Sequence, residues 1–322
     1  KKKKKMINIE NVNLAAIDIG SNAARLLIKN MDKDLDGSIH LSKVLFLRIP
    51  LRLGVDVFGQ GKISEIKEER FLRMIKAFNQ LMRINDVVEY RACATSALRE
   101  AKNGKRIIKK IERKTGIEIE IISGQEEAQI IYDNHIENFT GPGNFLYVDV
   151  GGGSTEISFI SNKERISSIS YNVGALRMLS GTVGNNVLLE IKQDLENITA
   201  GYSDITIIGS GGNINKLYRI ANKRDKRKER LPVATLEKLY SQLSKQSVAE
   251  RMEAFSLKPD RADVIVPAAE LFLHIARSVQ AESILVPTFG LADGIINDLV
   301  AKYKEDTNKE AIKEEEKKED TD

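Results

Sequence analysis

Three short glycine-rich segments contain the residue types best suited to chemistry in this chain. They are Asp18-Ile19-Gly20-Ser21-Asn22, Asp149-Val150-Gly151-Gly152-Gly153-Ser154 and Gly209-Ser210-Gly211-Gly212-Asn213. Glycine permits a positive φ and a close approach of the backbone to a ligand, and successive backbone N–H groups can form a cradle for phosphate oxygens. Acidic side chains beside such a cradle, here Asp18, Asp149 and Glu156, could hold a cation near the phosphate. The pattern therefore predicts metal-assisted phosphate chemistry.

The first two segments share one design. In each, an apolar run that predicts a strand ends on an acid, a glycine turn follows, and a second predicted strand begins. The two acids lie about one small domain apart along the chain, so the repetition predicts two similar domains that face each other across a cleft. The third segment follows the apolar run 205–208 and opens a predicted helix, an arrangement suited to an anion or a nucleotide.

Two more polar turns follow predicted strands. Thr95 and Arg99 come after the predicted strand 88–94, at the edge of a sheet where ligands tend to bind, and an arginine there could hold a phosphate bidentately. Ser123 and Glu126 have the spacing of a capping box, which would occupy Glu126 and leave Glu127 free. From the residues alone, either glutamate could act as a general base.

The motifs DIGSN, DVGGGSTE and GSGGN resemble the phosphate and adenosine motifs of the actin, sugar kinase and Hsp70 superfamily. Three further segments resemble one branch of it, the exopolyphosphatase/guanosine pentaphosphate phosphohydrolase family. They are ATSALR at 94–99, ISGQEEA at 122–128 and VGALR at 173–177. The resemblance covers the chain from about Leu14 to Tyr303. In this family the second glutamate of the pair is the catalytic base, which implies that role for Glu127.

The resemblance implies an α/β fold of two actin-like (ribonuclease H-like) domains, each a mixed sheet flanked by helices, facing across a cleft. It implies a hydrolase that releases orthophosphate from the end of inorganic polyphosphate or the 5′ phosphate of guanosine pentaphosphate, and a homodimer. On this hypothesis Glu127 deprotonates the attacking water, and Asp149, Glu156 and Asp18 position Mg²⁺. The predicted phosphate-binding residues are Gly20, Ser21, Asn22, Thr95, Arg99, Gly151, Gly152, Gly153, Ser154, Gly211 and Gly212.

Two other function classes stay open at this point. An ATP-dependent kinase of the same superfamily would use segment 209–213 against adenosine, and a non-catalytic module would bind polyphosphate or a nucleotide alarmone without releasing phosphate. The three acids and Glu127 together favour an enzyme. Family members that process long polyphosphate commonly carry an extra C-terminal helical domain, which this sequence does not show. Short polyphosphate or the nucleotide is therefore favoured.

Composition excludes several other classes. One cysteine, Cys93, and three scattered histidines argue against a zinc site, and the single thiol fits a buried residue of a cytoplasmic protein. No apolar run is long enough to cross a bilayer, and the lysines at 1–5 are not followed by the apolar core of a secretory signal peptide. Without that arm and the acidic tail, the body is close to neutral, which argues against specific nucleic-acid binding.

These residues must be positioned by two predicted domains. The predicted organisation is a basic arm at 1–13, domain I at 14–131, domain II at 132–290, a helix at 291–303 returning toward domain I, and a disordered or weakly helical charged tail at 304–322. An amphipathic helix is predicted at 64–85 and a strand at 117–122. The family resemblance implies a loop beside the cleft at 52–54.

Overall fold

A computed structural model describes residues 11–33, 38–135, 142–184, 186–221, 229–287 and 289–319. Most of the predicted basic arm, residues 136–141 near the start of predicted domain II, and the last three residues lie outside this range.

The first half of the chain builds a five-stranded mixed sheet. Its strands are β1 (Val12–Ile19), β2 (Ala24–Lys33), β3 (Ile39–Ile49), β4 (Val87–Ala94) and β5 (Glu120–Ile121). Its helices are α1 (Leu53–Gln60), α2 (Glu65–Ile84), α3 (Ser96–Glu100), α4 (Gly104–Thr115) and α5 (Gly124–His135). The strand order is β3-β2-β1-β4-β5, where β1, β2 and β3 are antiparallel neighbours and β4 and β5 follow in parallel.

The second half builds a six-stranded mixed sheet and the final helix. Its strands are β6 (Asn144–Val150), β7 (Thr155–Ser161), β8 (Glu164–Tyr171), β9 (Ile205–Ser210), β10 (Arg230–Pro232) and β11 (Ser283–Leu285). Its helices are α6 (Ala175–Leu179), α7 (Val187–Ile198), α8 (Gly212–Ile220), α9 (Val233–Ser244), α10 (Val248–Phe255), α11 (Pro259–Ala262), α12 (Ile265–Ser278) and α13 (Leu291–Glu319).

The two sheets repeat one topology. In the second sheet the order β8-β7-β6-β9-β11 has the same antiparallel and parallel pairings as β3-β2-β1-β4-β5 in the first, with β10 added at the edge. The turn after Asp18 and the turn after Asp149 therefore occupy equivalent places, each joining the central strand to its antiparallel neighbour. The predicted fold of two like mixed sheets flanked by helices is confirmed.

Helix α2 shows how local sequence forms these elements. Ser64 lies just before it, and its hydroxyl accepts a hydrogen bond from the backbone N–H of Lys67, as expected for an N-cap. The apolar residues at helical spacing are buried, and Phe71 and Phe78 are fully buried. Burial of each such ring stabilises the fold by about 1.5–3 kcal/mol. The predicted helix at 64–85 is confirmed by α2, which spans Glu65–Ile84 after the N-cap Ser64.

Two local predictions need correction. Residues 53–54 begin helix α1 rather than a loop, because Leu53 and Gly54 are buried against the rest of the domain. The strand predicted at 117–122 contracts to β5, since the backbone N–H of Ile119 donates to Glu112 Oε1 instead of to a neighbouring strand.

The charged tail was predicted to be disordered or weakly helical, and helix α13 continues through residues 304–319. Glutamate and lysine are good helix formers, and pairs of them four residues apart support a helix that has no apolar face.

Candidate functional site

The glycine turns of the two lobes pack directly against each other. A Cβ added to Gly152 would lie 3.1 Å from Ser21 Cβ, and one added to Gly153 would lie 2.3 Å from Phe58 Cζ. The backbone φ of these two glycines, and of Gly20, lies outside the left-handed region. The expected need for a positive φ is therefore wrong at these positions, where glycine is required by the close approach of one lobe to the other.

The third turn does use the conformational freedom of glycine. Gly211 has a φ of 92°, and an added Cβ would lie 2.6 Å from Asp149 Oδ1. Strands β6 and β9 are parallel neighbours with Asp149 opposite Ser210, which places the start of helix α8 beside this acid. Gly211 is thus needed both for its backbone conformation and for the space that Asp149 occupies.

A cavity of about 320 Å³ lies between the lobes, and all three glycine turns line it. It brings together most of the residues singled out from the sequence. Those that line it are Asp18, Gly20, Ser21, Asn22, Thr95, Glu127, Asp149, Gly151, Gly152, Ser154, Gly211 and Gly212.

Three of the predicted site residues do not line this cavity. Gly153 is enclosed by Phe58 and Ser96. Glu156 is buried behind the cavity and accepts a hydrogen bond from Ser170 Oγ at 3.0 Å. Arg99 donates from Nη1 to the carbonyl of Ile122 at 2.7 Å, so its guanidinium is held beside Glu127 rather than turned toward a phosphate.

The structure separates the two adjacent glutamates of α5. The backbone N–H of Glu126 donates to Ser123 Oγ, and its half-exposed side chain forms an ion pair with Arg91 at 2.9 Å. Glu127 instead lines the cavity with a side chain that is 13% exposed, and its buried Oε2 atom lies 3.9 Å from Arg99 Nη1 and has no hydrogen-bond partner. Successive helical positions point about 100° apart, so only one of the pair can face the cleft.

Burial dominates the electrostatics of the carboxylates. Together with the nearby charges of Glu156, Asp149 and Asp18, it raises the pKa of Glu127 well above the usual value of 4.5. Burial also raises the pKa of Asp149 to about 6 and that of Glu156 to about 7. Asp18 differs from these three because it forms an ion pair with Arg25. The cluster therefore favours a bound cation, which would lower the cost of ionising all three acids.

Three arginines that the sequence reasoning missed line the same cavity, and one of them, Arg25, is the ion-pair partner of Asp18. The other two are Arg48 and Arg261. Arg48 forms an ion pair with Asp260 at 2.6 Å, and Arg261 Nη1 donates to Asn213 Oδ1 at 2.7 Å.

The arginines repel one another. Burial first, and then the charges of Arg48 and Arg25, lower the pKa of Arg261 to about 9. Crowded guanidinium groups of this kind attract a polyanion. The sequence did contain one sign of these cavity arginines: the strands β2 and β3 each include a single arginine, Arg25 and Arg48.

The donor set suits Mg²⁺ in its chemistry but does not form a complete cage. Among residues 11–319, apart from the undescribed gaps, no group of three or more His, Cys, Asp or Glu side chains is placed to hold a metal ion by itself. Mg²⁺ commonly takes one or two carboxylates and completes its shell with waters and phosphate oxygens. Asp18 and Asp149 at the cavity wall fit that pattern, with Glu156 behind them.

Two side chains outside the cavity are structural. Burial raises the pKa of the Cys93 thiol to about 12, which keeps it protonated, and His274 shares a hydrogen bond with the carbonyl of Leu188. Within the described parts of the chain, no helix combines the length and the apolar character needed to span a membrane.

Comparison with known proteins agrees with this architecture. Residues 34–303 match the Ppx/GppA phosphatase family. The guanosine-5′-triphosphate,3′-diphosphate pyrophosphatase of Aeromonas salmonicida (strain A449) is 26% identical over 298 residues, which cover 89% of this chain and 59% of that protein. The chain thus spans less than two thirds of the length of this relative.

Solved structures give the same result. The Aquifex aeolicus member of the Ppx/GppA family has a TM-score of 0.70 at 25% identity, covering 91% of this chain and 99% of that one. An exopolyphosphatase from Cytophaga hutchinsonii (ATCC 33406) has a TM-score of 0.76 at 23% identity, covering 90% and 98% of the two chains, and shares the fold. The resemblance drawn from the sequence motifs is confirmed.

Proposed function

Since the chain belongs to the Ppx/GppA phosphatase family, we propose that it hydrolyses a terminal phosphoanhydride bond and releases orthophosphate. The substrate would be the end of an inorganic polyphosphate chain or the 5′ phosphate of guanosine pentaphosphate. One observation carries the proposal: Glu127, whose side chain is only 13% exposed, has an oxygen without a hydrogen-bond partner in a cavity lined by backbone turns and arginines.

The first step is binding of the phosphate chain. Backbone N–H groups of the turns 20–22 and 151–154 would hold the terminal phosphate and its neighbour, as anion cradles do. The next phosphates would lie against Arg25, Arg48 and Arg261. Asp18 and Asp149 would hold Mg²⁺, which supplies charge compensation on the phosphates and the leaving oxygen.

The second step is attack by water. Glu127 accepts a proton from a water molecule, whose oxygen bonds to the terminal phosphorus as the bond from phosphorus to the bridging oxygen breaks. The bridging oxygen leaves with the shortened chain and takes the electron pair. A base with a raised pKa keeps a strong affinity for that proton, which suits Glu127 to this role once it is ionised.

The test is orthophosphate release from short polyphosphate, long polyphosphate, guanosine pentaphosphate and ATP, with and without Mg²⁺. General-base catalysis contributes about 10²–10⁴-fold, so Glu127→Gln should lower kcat by that factor while substrate binding persists. The matched control is Glu126→Gln, which changes the neighbouring residue outside the cavity and should keep near-normal turnover. Equal activity of the two variants would reject the assignment of Glu127.

A further inference from the structure

Two half-exposed aromatic rings stand at the cavity between the lobes. Phe46 is 50% exposed and Phe289 is 39% exposed, and both line this cavity. No other aromatic side chain among the described residues lines it. The remaining wall is formed by glycines, small aliphatic residues and polar or charged side chains, so the rings are the only large flat apolar surfaces offered to a bound molecule.

Neighbours of both rings belong to one apolar cluster. Phe46 on β3 is the register partner of Leu27 on β2. Leu27 packs in one apolar cluster with Leu291 and Ala292, the first residues of α13, and Phe289 lies just before that helix. One ring thus comes from the first sheet and the other from the segment that follows the second sheet.

The rings line the same cavity as the three arginines. Phe46 and Arg48 are two residues apart on β3 and therefore lie on one face of the strand, and Arg48 is the register partner of Arg25. The Phe46 ring already accepts a cation on its π system, because Lys43 Nζ lies 5.9 Å from its centroid. A molecule whose phosphates lie on the arginines would bring its next group to these rings.

We infer that Phe46 and Phe289 stack on the base of a nucleoside polyphosphate whose phosphates occupy the cavity. Stacking on aromatic rings is available to every base, because every base has a π face, whereas an inorganic chain has none. This inference rests on the proposed function for the position of the phosphates. It assigns to this chain a preference for nucleotide over inorganic substrate that the phosphate-binding residues by themselves do not provide.

The experiment compares two ligands that share a triphosphate, GTP and inorganic tripolyphosphate. Their Kd values are measured with Mg²⁺ in the Glu127→Gln background, alone and with Phe46→Ala or Phe289→Ala added. Each alanine variant should weaken GTP binding about ten- to hundredfold and change tripolyphosphate binding less than about twofold. Phe46→Tyr retains a ring and should keep GTP binding close to the background value. Val44→Ala, at an exposed site of β3 outside the cavity lining, is the matched control and should change neither ligand.

The outcomes separate the inference from the proposed function. Equal losses for both ligands would mean that the rings only maintain the cavity and would overturn the inference, as would unchanged GTP binding in both alanine variants. Orthophosphate release by the unsubstituted chain is measured separately. If no substrate is hydrolysed, the proposed function fails, while a selective loss of GTP binding still supports stacking by the two rings.

Discussion

The two glycine turns occupy equivalent places in a duplicated topology, yet their acids differ in ion pairing. Asp18 in the first lobe is neutralised by Arg25 from the next strand. Asp149 in the second lobe has no ion-pair partner among the described residues, and burial raises its pKa to about 6. The duplicated fold therefore provides two similar scaffolds, and the placement of one arginine makes the lobes electrostatically unequal.

The glycines of the two turns also differ in how closely other atoms pack around them. A Cβ added to Gly20 would meet its nearest atom, the carbonyl oxygen of Ala23, at 3.2 Å, whereas one added to Gly153 would overlap Phe58 and Ser96. The first turn is mainly a local connection. The second turn packs against the other lobe, so its geometry depends on how the two lobes are packed together.

The largest expected effect concerns the neutralised acid. Asp18→Asn removes the counter-charge of Arg25, whose side chain is 26% exposed, so we expect a loss at the lower end of the about 3–5 kcal/mol typical of a buried ion pair. Urea unfolding should show this loss in the metal-free protein. A stability within about 1 kcal/mol of the parent would contradict the assignment of Asp18 as the neutralised partner.

Asp149→Asn should have the opposite effect on stability. Ionisation of Asp149 is disfavoured in the folded state, so the variant should be at least as stable as the parent above about pH 6. It should also raise the Mg²⁺ concentration for half-maximal activity by about 100-fold, at the upper end of the effects seen when the surroundings of a metal ligand are altered. An unchanged Mg²⁺ titration would place the ion elsewhere.

The difference between the glycines can be tested by alanine substitution. Gly153→Ala should destabilise the fold by about 1–3 kcal/mol through overpacking against Phe58. Gly20→Ala has more room and is the control, with a smaller expected loss. Thermal unfolding of the two variants side by side gives the answer, and equal losses would mean that the turns are not packed differently.

The pH dependence of stability should reveal the buried charge in the second lobe. Because the pKa of Glu156 is raised to about 7 in the folded chain from 4.5, the folded state loses stability as the pH rises from about 4.5 to about 7, and the loss is complete above pH 7. Glu156→Gln should then raise Tm by a few degrees near pH 8 in EDTA, with the gain vanishing near pH 4. A gain that persists at low pH would have another cause.

The smallest expected effect is that of Arg99. Its charge lowers the pKa of Glu127 against the larger effects of burial and the other carboxylates. Arg99→Gln should therefore move the acid limb of the kcat/KM profile to higher pH and leave the plateau mostly intact. Loss of activity at every pH, without such a shift, would instead indicate that Arg99 contacts substrate.

The sequence was sufficient for features that depend on neighbours along the chain. Alternating and helical apolar patterns predicted the main strands and α2, and the repeated acid-glycine design predicted two like sheets. These features are local because a few adjacent residues decide backbone conformation and which side is buried. The family motifs added the choice of Glu127 over Glu126, which spacing had left open.

Tertiary structure decided the charge balance and the role of the glycines. The ion pair between Arg48 and Asp260 joins residues that are distant in sequence, and Gly153 must be small because Phe58 from the other lobe fills its space. No pattern of nearby residues contains such contacts. How the charge of each acid is balanced depends on what the fold packs against it.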